Sequence, residues 1–302
     1  MKILLVSNKT YRGHLDGSWW YLYLPLKQMG HEVYFYDTVT PLEVDFESVV
    51  DKFKPDLIFC CLTGDWAIAP HEPWEALMKE TLSGRTNTFN WFCDDTWRYD
   101  SFSKLAVRHF NVCSTPEPKF IERYKQDGYT NIILGAWHTN IDLYPALKYE
   151  EKDILISFMG AMNELRKSFF DKHEEFSIEM FSGVSQEKML EIFTKTKIGI
   201  NLSVNENDPL RKTQMKQRMF EVPAGLGLLF TENHDSLEMF FKPNEEIITF
   251  ENDLDFKEKL KFLLSKPAVV KQIATAGHKR FLKQHESKIR LASVLEQIGE
   301  FK

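Results

Sequence analysis

Cysteine is scarce in this sequence, and the few present form no metal motif. The 302 residues include Cys60, Cys61, Cys93 and Cys113 and no others. No CxxC pair and no Cys/His ligand spacing occurs, which argues against a zinc site. So few thiols in a chain of this length also exclude a disulfide-stapled scaffold. Cys60, Cys61 and Cys113 lie in apolar runs that read as strands, where buried free thiols are expected, and a reducing cytoplasm fits that usage best. No stretch reaches about 18 apolar residues, so no transmembrane helix is expected. The apolar run in MKILLVSNKT is too short for a signal peptide. Low-complexity tracts, internal repeats and a strand-end DxD motif are all missing. A strong excess of one charge sign is missing too. Lys and Arg number 38 and Asp and Glu 44, for a net charge of −6. That balance argues against binding nucleic acid or an anionic membrane over the whole surface, but leaves room for a local basic cleft.

What is present is ordinary globular composition, 43% hydrophobic and 27% charged. Aromatics reach 14%, with 24 Phe; such residues fill cores and also line ligand grooves. At roughly 150 residues per domain, the length suggests two domains.

The chain alternates strands and helices. Ile3 to Val6 is an apolar run of the kind buried on both faces of a parallel sheet. A loop follows, then a helix from Trp19 to Met29 closed by Gly30, then a strand at Val33 to Tyr36. Strands are expected again at Leu57 to Leu62, Thr88 to Cys93, Asn111 to Ser114 and Ile132 to Ala136, with helices between them. The polar stretch Lys148 to Asp153 reads as a linker. Beyond it, strands are expected at Ile154 to Met159, Phe176 to Phe181, Ile198 to Leu202, Gly227 to Phe230 and Glu246 to Phe250. The end of the chain is helical, with a break near His285. This rhythm predicts an α/β fold of two parallel-sheet halves, whose ligands gather at the carboxyl ends of the strands.

The most informative segment is KQRMFEVPAGLGLLFT, from Lys216 to Thr231. Arg218 and Glu221 stand three apart on a helix and point one way. The carboxylate could accept both hydroxyls of a ribose, and the guanidinium could pair with a diphosphate. The other reading is a surface ion pair of little consequence.

QRMFEVPAGLGLLFTENHDSLEMFF, followed by EEIITFENDLDFKEKLKFLL and AGHKRFLKQH, resembles the C-terminal domain of GT-B glycosyltransferases. The similarity is nearest to the CgeB-like, spore-maturation branch, with a C-terminal domain like those of glycosyltransferase families 1 and 4. It covers Ile154 to the end of the chain. The resemblance implies the GT-B architecture, two Rossmann-like domains facing a central cleft. Residues 1–148 would form the acceptor domain, joined by a C-terminal helix at 286–302, and residues 152–285 the donor domain. It implies a glycosyltransferase, a hexosyltransferase, that moves a sugar from a nucleotide-sugar such as a UDP-sugar to a hydroxyl acceptor. No cofactor and no metal are implied, since basic side chains and helix dipoles stabilise the leaving diphosphate. Carried over, Glu221 would bind the ribose, and Arg218 would sit near the diphosphate. Gly160 and Arg166, in the segment GAMNELR, would meet the diphosphate at a helix N-terminus. Asn201, Ser203 and Asn205 would lie in the loop over the donor. The family's Glu-x7-Glu pattern is incomplete, because Thr213 stands where the first Glu would be.

The acceptor side is read from the first half. His14, in the loop YRGHLDGS with Gly13, has a free pKa suited to a base; the alternative is a solvated loop histidine. Asp94 and Asp95 follow a strand and are bracketed by Trp91 and Trp97. One could deprotonate an acceptor hydroxyl, or one could simply cap the next helix. Trp66 follows another strand. His138, in WHTNID, lies in what resembles the interdomain hinge. The acceptor stays open among a small molecule, a glycan, a protein and a modified nucleic-acid base. Two other functions remain: a nucleotide-sugar epimerase of the same fold, and an inactive nucleotide- or sugar-binding protein.

Overall fold

The computed structural model describes residues 1–41, 43–204 and 213–301. Its contacts divide the chain into two compact units, Met1–Ala136 with Ser287–Lys302, and Trp137–Glu286.

The first unit is built on a parallel sheet of β1 (Lys2–Ser7), β2 (Glu32–Asp37), β3 (Leu57–Cys61), β4 (Asn87–Trp91), β5 (Val112–Thr115) and β6 (Ile132–Leu134), in the order β2-β1-β3-β4-β5-β6. Side chains alternate across it, as a strand period of two requires. Leu4 and Val6 of β1 join one core with Val49 and Val50 of α1 (Phe46–Phe53). Ile3 and Leu5 join the other. That second core also takes Leu291, Val294 and Ile298 of the C-terminal helix Ser287–Glu300. The helices start where local chemistry favours it. Asp45 caps α1 by accepting from the Ser48 amide at 2.8 Å. Pro118 opens α2 (Pro118–Gln126), where its missing N–H costs nothing.

The second unit carries a parallel sheet of β7 (Ile154–Met159), β8 (Glu179–Phe181), β9 (Thr196–Asn201), β10 (Leu228–Glu232) and β11 (Ile248–Phe250), in the order β8-β7-β9-β10-β11. Against it lie α3 (Glu164–Asp171), α4 (Gln186–Lys195), α5 (Arg218–Ala224), α6 (Asp253–Ser265) and α7 (Pro267–Gln284). Leu260, Leu263, Val270 and Ile273 of α6 and α7 cover Ile198, Ile200 and Phe230.

The expected linker is the main departure. The boundary between units falls at Ala136, and residues 148–153 belong inside the second unit. Lys148 to Glu151 close a tight turn, with the Lys148 amide donating to the Glu151 carboxylate at 2.8 Å. Lys152 is buried. Its ammonium donates to the carbonyls of Thr194, Thr196 (3.1 Å) and Gly225 (2.6 Å). A polar run that looks solvated in sequence is therefore a clamp on the ends of α4 and α5.

Candidate active site

In an open parallel sheet, ligands collect where the strand order reverses. In the second unit that point lies between the carboxyl ends of β7 and β9, which lead into Gly160 and into Leu202–Ser203. Four of the residues expected at the donor meet there. Arg218, the first residue of α5, donates Nη1 to Asn201 Oδ1 at 3.0 Å. Its guanidinium lies 4.7 Å from the centre of the Phe158 ring, and that of Arg166 lies 5.5 Å from the same ring. Two cations thus share one aromatic residue of β7. Enclosure, and then the Arg166 charge, push the Arg218 pKa down to about 9, while Glu221 works the other way. Arg218 still carries its charge at neutral pH, and an anion brought beside it would relieve the repulsion.

Gly160 suits this position on two counts, its φ of 155° and the closeness of Arg218. A Cβ at position 160 would come within 2.3 Å of Arg218 Nη2. The loop then turns through Asn163, which caps α3 by accepting from the Arg166 amide at 2.9 Å. The Arg166 side chain folds back to donate to the Ala161 carbonyl at 2.6 Å.

Asn201 and Ser203 are both buried. Asn201 Nδ2 donates to Ser203 Oγ at 3.0 Å and to Thr231 Oγ1 at 2.9 Å. Asn205 lies outside the described residues. Glu221 sits one turn after Arg218 and is buried. Its carbonyl accepts from the Tyr144 hydroxyl at 3.3 Å, and its charge adds to the burial that raises the Tyr144 pKa. The helix ends tightly: a Cβ on Gly225 would come within 2.6 Å of the Phe193 carbonyl oxygen.

Two participants carried no motif. Phe158 reads as core in sequence. Glu232 ends β10, and its carboxylate accepts from the amides of Ser203 and of Val204 (3.2 Å). Both follow strand patterns, and their place near the carboxyl ends of the parallel strands is the signal that could have found them.

The residues expected on the acceptor side come from the carboxyl edge of the first sheet, with one exception. His14 is exposed and pairs with Tyr11 in a two-residue hairpin. The turn residues Arg12 and Gly13 take φ of 48° and 81°, the left-handed pair that such hairpins use. Trp66 is 80% exposed on a loop that is firmly held. The Glu72 carboxylate accepts from the amides of Thr63 (2.6 Å) and Gly64 (2.9 Å) and from the Trp74 indole (2.9 Å). Arg98 Nη2 donates to the Thr63 carbonyl. Neither Glu72 nor Arg98 was singled out from sequence. Trp97 is 38% exposed, with the Arg98 guanidinium 5.4 Å from its ring centre. Cys61 and Cys93 bring their sulfurs to 3.7 Å at the same edge.

The paired carboxylates separate. Asp94 is half-buried, and its carbonyl accepts from the Trp97 and Arg98 amides. Asp95 points inward instead and is fully buried. Tyr124 donates to it at 3.2 Å, and Ser103 and Thr115 bond it as well. Burial drives its pKa up to about 6 against these hydroxyl contacts. As a base for an external hydroxyl, Asp95 is thus in the wrong place. Trp91, its neighbour in the motif, is core. His138 follows the unit boundary closely. It is buried within the second unit, where its carbonyl accepts from the Gln217 side chain.

Among the described residues, no group of three His, Cys, Asp or Glu could hold a metal ion, and no helix is long and apolar enough to cross a membrane.

Two Rossmann-like units, each built on a parallel sheet, carry the GT-B fold seen in solved glycosyltransferases. The glycosyl transferase-like family model matches residues 145–296, half of the chain, and the chain belongs to that family. No curated protein matches it in sequence. Among solved structures it is similar to a glycosyltransferase from Rickettsia africae ESF-5 (12% identity, 99% of this chain and 98% of that one, TM-score 0.65). It is similar to sucrose-phosphate synthase from Thermosynechococcus elongatus (11% identity, all of both chains, TM-score 0.65). It is also similar to Anabaena HepE in complex with UDP-glucose (10% identity, 99% of this chain and 100% of that one, TM-score 0.64).

Proposed function

We propose that this chain transfers a hexose from a UDP-sugar to a hydroxyl acceptor without a metal ion. The observation that carries the reading is the pair of guanidiniums, Arg218 and Arg166, about Phe158 beside Gly160 at the second sheet's switch point. When the bond between the anomeric carbon and the diphosphate breaks, negative charge grows on the leaving oxygen. Two fixed cations stabilise that charge without reorganising. Glu221 would accept the ribose hydroxyls, with Asn201 and Ser203 lining the same site. The acceptor oxygen forms the new bond to the anomeric carbon, and its proton goes to a base, Asp94 or His14. Gly13, Trp66 and Trp97 belong to the acceptor side. The motif order from Arg218 to the α7 helix supports kinship with the CgeB-like branch. Four free thiols support a reducing, cytoplasmic location.

Calorimetry with UDP and UDP-glucose tests the donor assignment, and release of UDP tests turnover. Binding that is lost in Arg218→Ala and Glu221→Ala is expected. Binding unchanged in both variants sinks the reading. Product analysis with donor alone separates the alternatives. An epimerised sugar would assign an epimerase, and nucleotide binding without any donor cleavage would assign a binding protein.

A further inference from the structure

Glu232 stands where no donor residue was expected, and its surroundings are specific. Its carboxylate Oε2 accepts two successive backbone amides, Ser203 and Val204 (3.2 Å). These are the residues that carry the chain away from β9. The strand's last residue, Asn201, is tied to the same place by a second route. Asn201 Nδ2 donates to Ser203 Oγ (3.0 Å) and Thr231 Oγ1 (2.9 Å), and Thr231 Oγ1 donates to the Glu232 carbonyl (2.9 Å). The other end of the Asn201 amide accepts from Arg218. The ends of β9 and β10 and the guanidinium of Arg218 are therefore one hydrogen-bonded unit, held at one end by the Glu232 carboxylate.

A carboxylate is an expensive choice at this point. Burial raises its pKa, and Asp253 adds to that, while the two amides and the Arg166 charge oppose it. Next to a site proposed for a diphosphate it also repels the ligand. A neutral side chain would avoid both costs. What the carboxylate supplies in return is a pair of charge-assisted bonds that fix two adjacent amides, stronger and more directional than a neutral acceptor would make.

We propose that Glu232 is a positioning residue of the donor site, holding the Ser203–Val204 backbone, and through Asn201 the Arg218 guanidinium, in the geometry that receives a nucleoside diphosphate-sugar. This rests on the donor reading above. It adds a residue that touches no substrate and acts through Asn201, Ser203 and Arg218.

The test compares Glu232→Ala, Glu232→Gln and Arg218→Ala in steady-state kinetics with UDP-glucose, using donor cleavage as the signal and a thermal melt of each variant. Glu232→Ala is expected to raise the donor KM on the order of tenfold. Glu232→Gln, whose amide oxygen still accepts, is expected to fall between Ala and the parent. If Glu232→Ala does not fold, Glu232→Gln decides alone, and a raised KM supports the proposal. A purely structural Glu232 would lower the melting temperature and the active fraction and leave KM at the parental value. That result overturns the proposal. Arg218→Ala keeps the two readings apart. If it raises KM while the Glu232 variants do not, only the positioning role fails. If it leaves KM unchanged as well, the donor reading fails and takes the proposal with it.

Discussion

Arg218 and Asn201 share a hydrogen bond of 3.0 Å that ties the first residue of α5 to the last residue of β9. The acceptor is a neutral amide, so the guanidinium is oriented without being neutralised. Asn201→Asp would put a carboxylate against it. The expected outcome is a protein that still folds, at a lower melting temperature since the Nδ2 donations to Ser203 and Thr231 are lost, and that binds UDP at least about tenfold more weakly, because the charge meant for the diphosphate is already matched. Calorimetry of UDP binding measures this, and equal affinity in the two proteins would contradict an anion-binding role for Arg218.

Gly160 provides a steric version of the same test. Its virtual Cβ lies 2.3 Å from Arg218 Nη2, the end of a flexible side chain rather than backbone. Gly160→Ala is therefore expected to displace the guanidinium and, with φ at 155°, to strain the loop backbone as well, while the sheet survives. Donor affinity should fall by about tenfold or more. A circular dichroism spectrum like the parent's, with UDP binding lost, would match. Undiminished binding would place the diphosphate elsewhere.

The fold was readable because its signals are local. The alternation of Ile3, Leu4, Leu5 and Val6 across two cores and the Pro118 start of α2 need only neighbouring residues to interpret. Arg218 and Gly160 stand out in the sequence because their spacing follows a family pattern, and the fold brings them together. The failures share one cause. Lys152 sits in a polar run, and only carbonyls 42, 44 and 73 positions away make it a buried clamp. Asp94 and Asp95 are chemically alike. Hydroxyls from Ser103, Thr115 and Tyr124, on later elements, draw one of them inward. Glu72 and Glu232 act on backbone amides, which have no sequence signature.

The Lys152 clamp has a measurable consequence. Its ammonium satisfies three carbonyls at the ends of α4, β9 and α5 at once. Lys152→Met keeps the stem but removes the donor that those carbonyls share. Each buried unsatisfied group costs about 1–3 kcal/mol, so a loss on the order of 3 kcal/mol or more is expected. Urea unfolding followed by tryptophan fluorescence would read it. A shift below about 0.5 kcal/mol, ordinary for a surface change, would mean that residues 148–153 behave as a solvated linker after all.

Asp94 and Asp95 give opposite predictions from adjacent positions. The Asp95 pKa is raised by burial to about 6, above its value in an unfolded chain. The native state then holds a proton that the unfolded state releases between about pH 4 and 6. The stability Asp95 contributes is present below that window and is lost as pH rises through it, by up to about 3 kcal/mol. Asp95→Asn cannot titrate. The difference in unfolding free energy between parent and variant should therefore drift by about that amount from pH 4 to pH 7 in the parent's disfavour. Turnover at pH 7 should change little, because the carboxylate is enclosed by protein. Asp94→Asn should do the reverse, leaving the pH drift intact and lowering kcat about a hundredfold if Asp94 is the base. The two profiles exchanged, with the drift lost in Asp94→Asn and turnover lost in Asp95→Asn, would put the buried carboxylate back in the reaction.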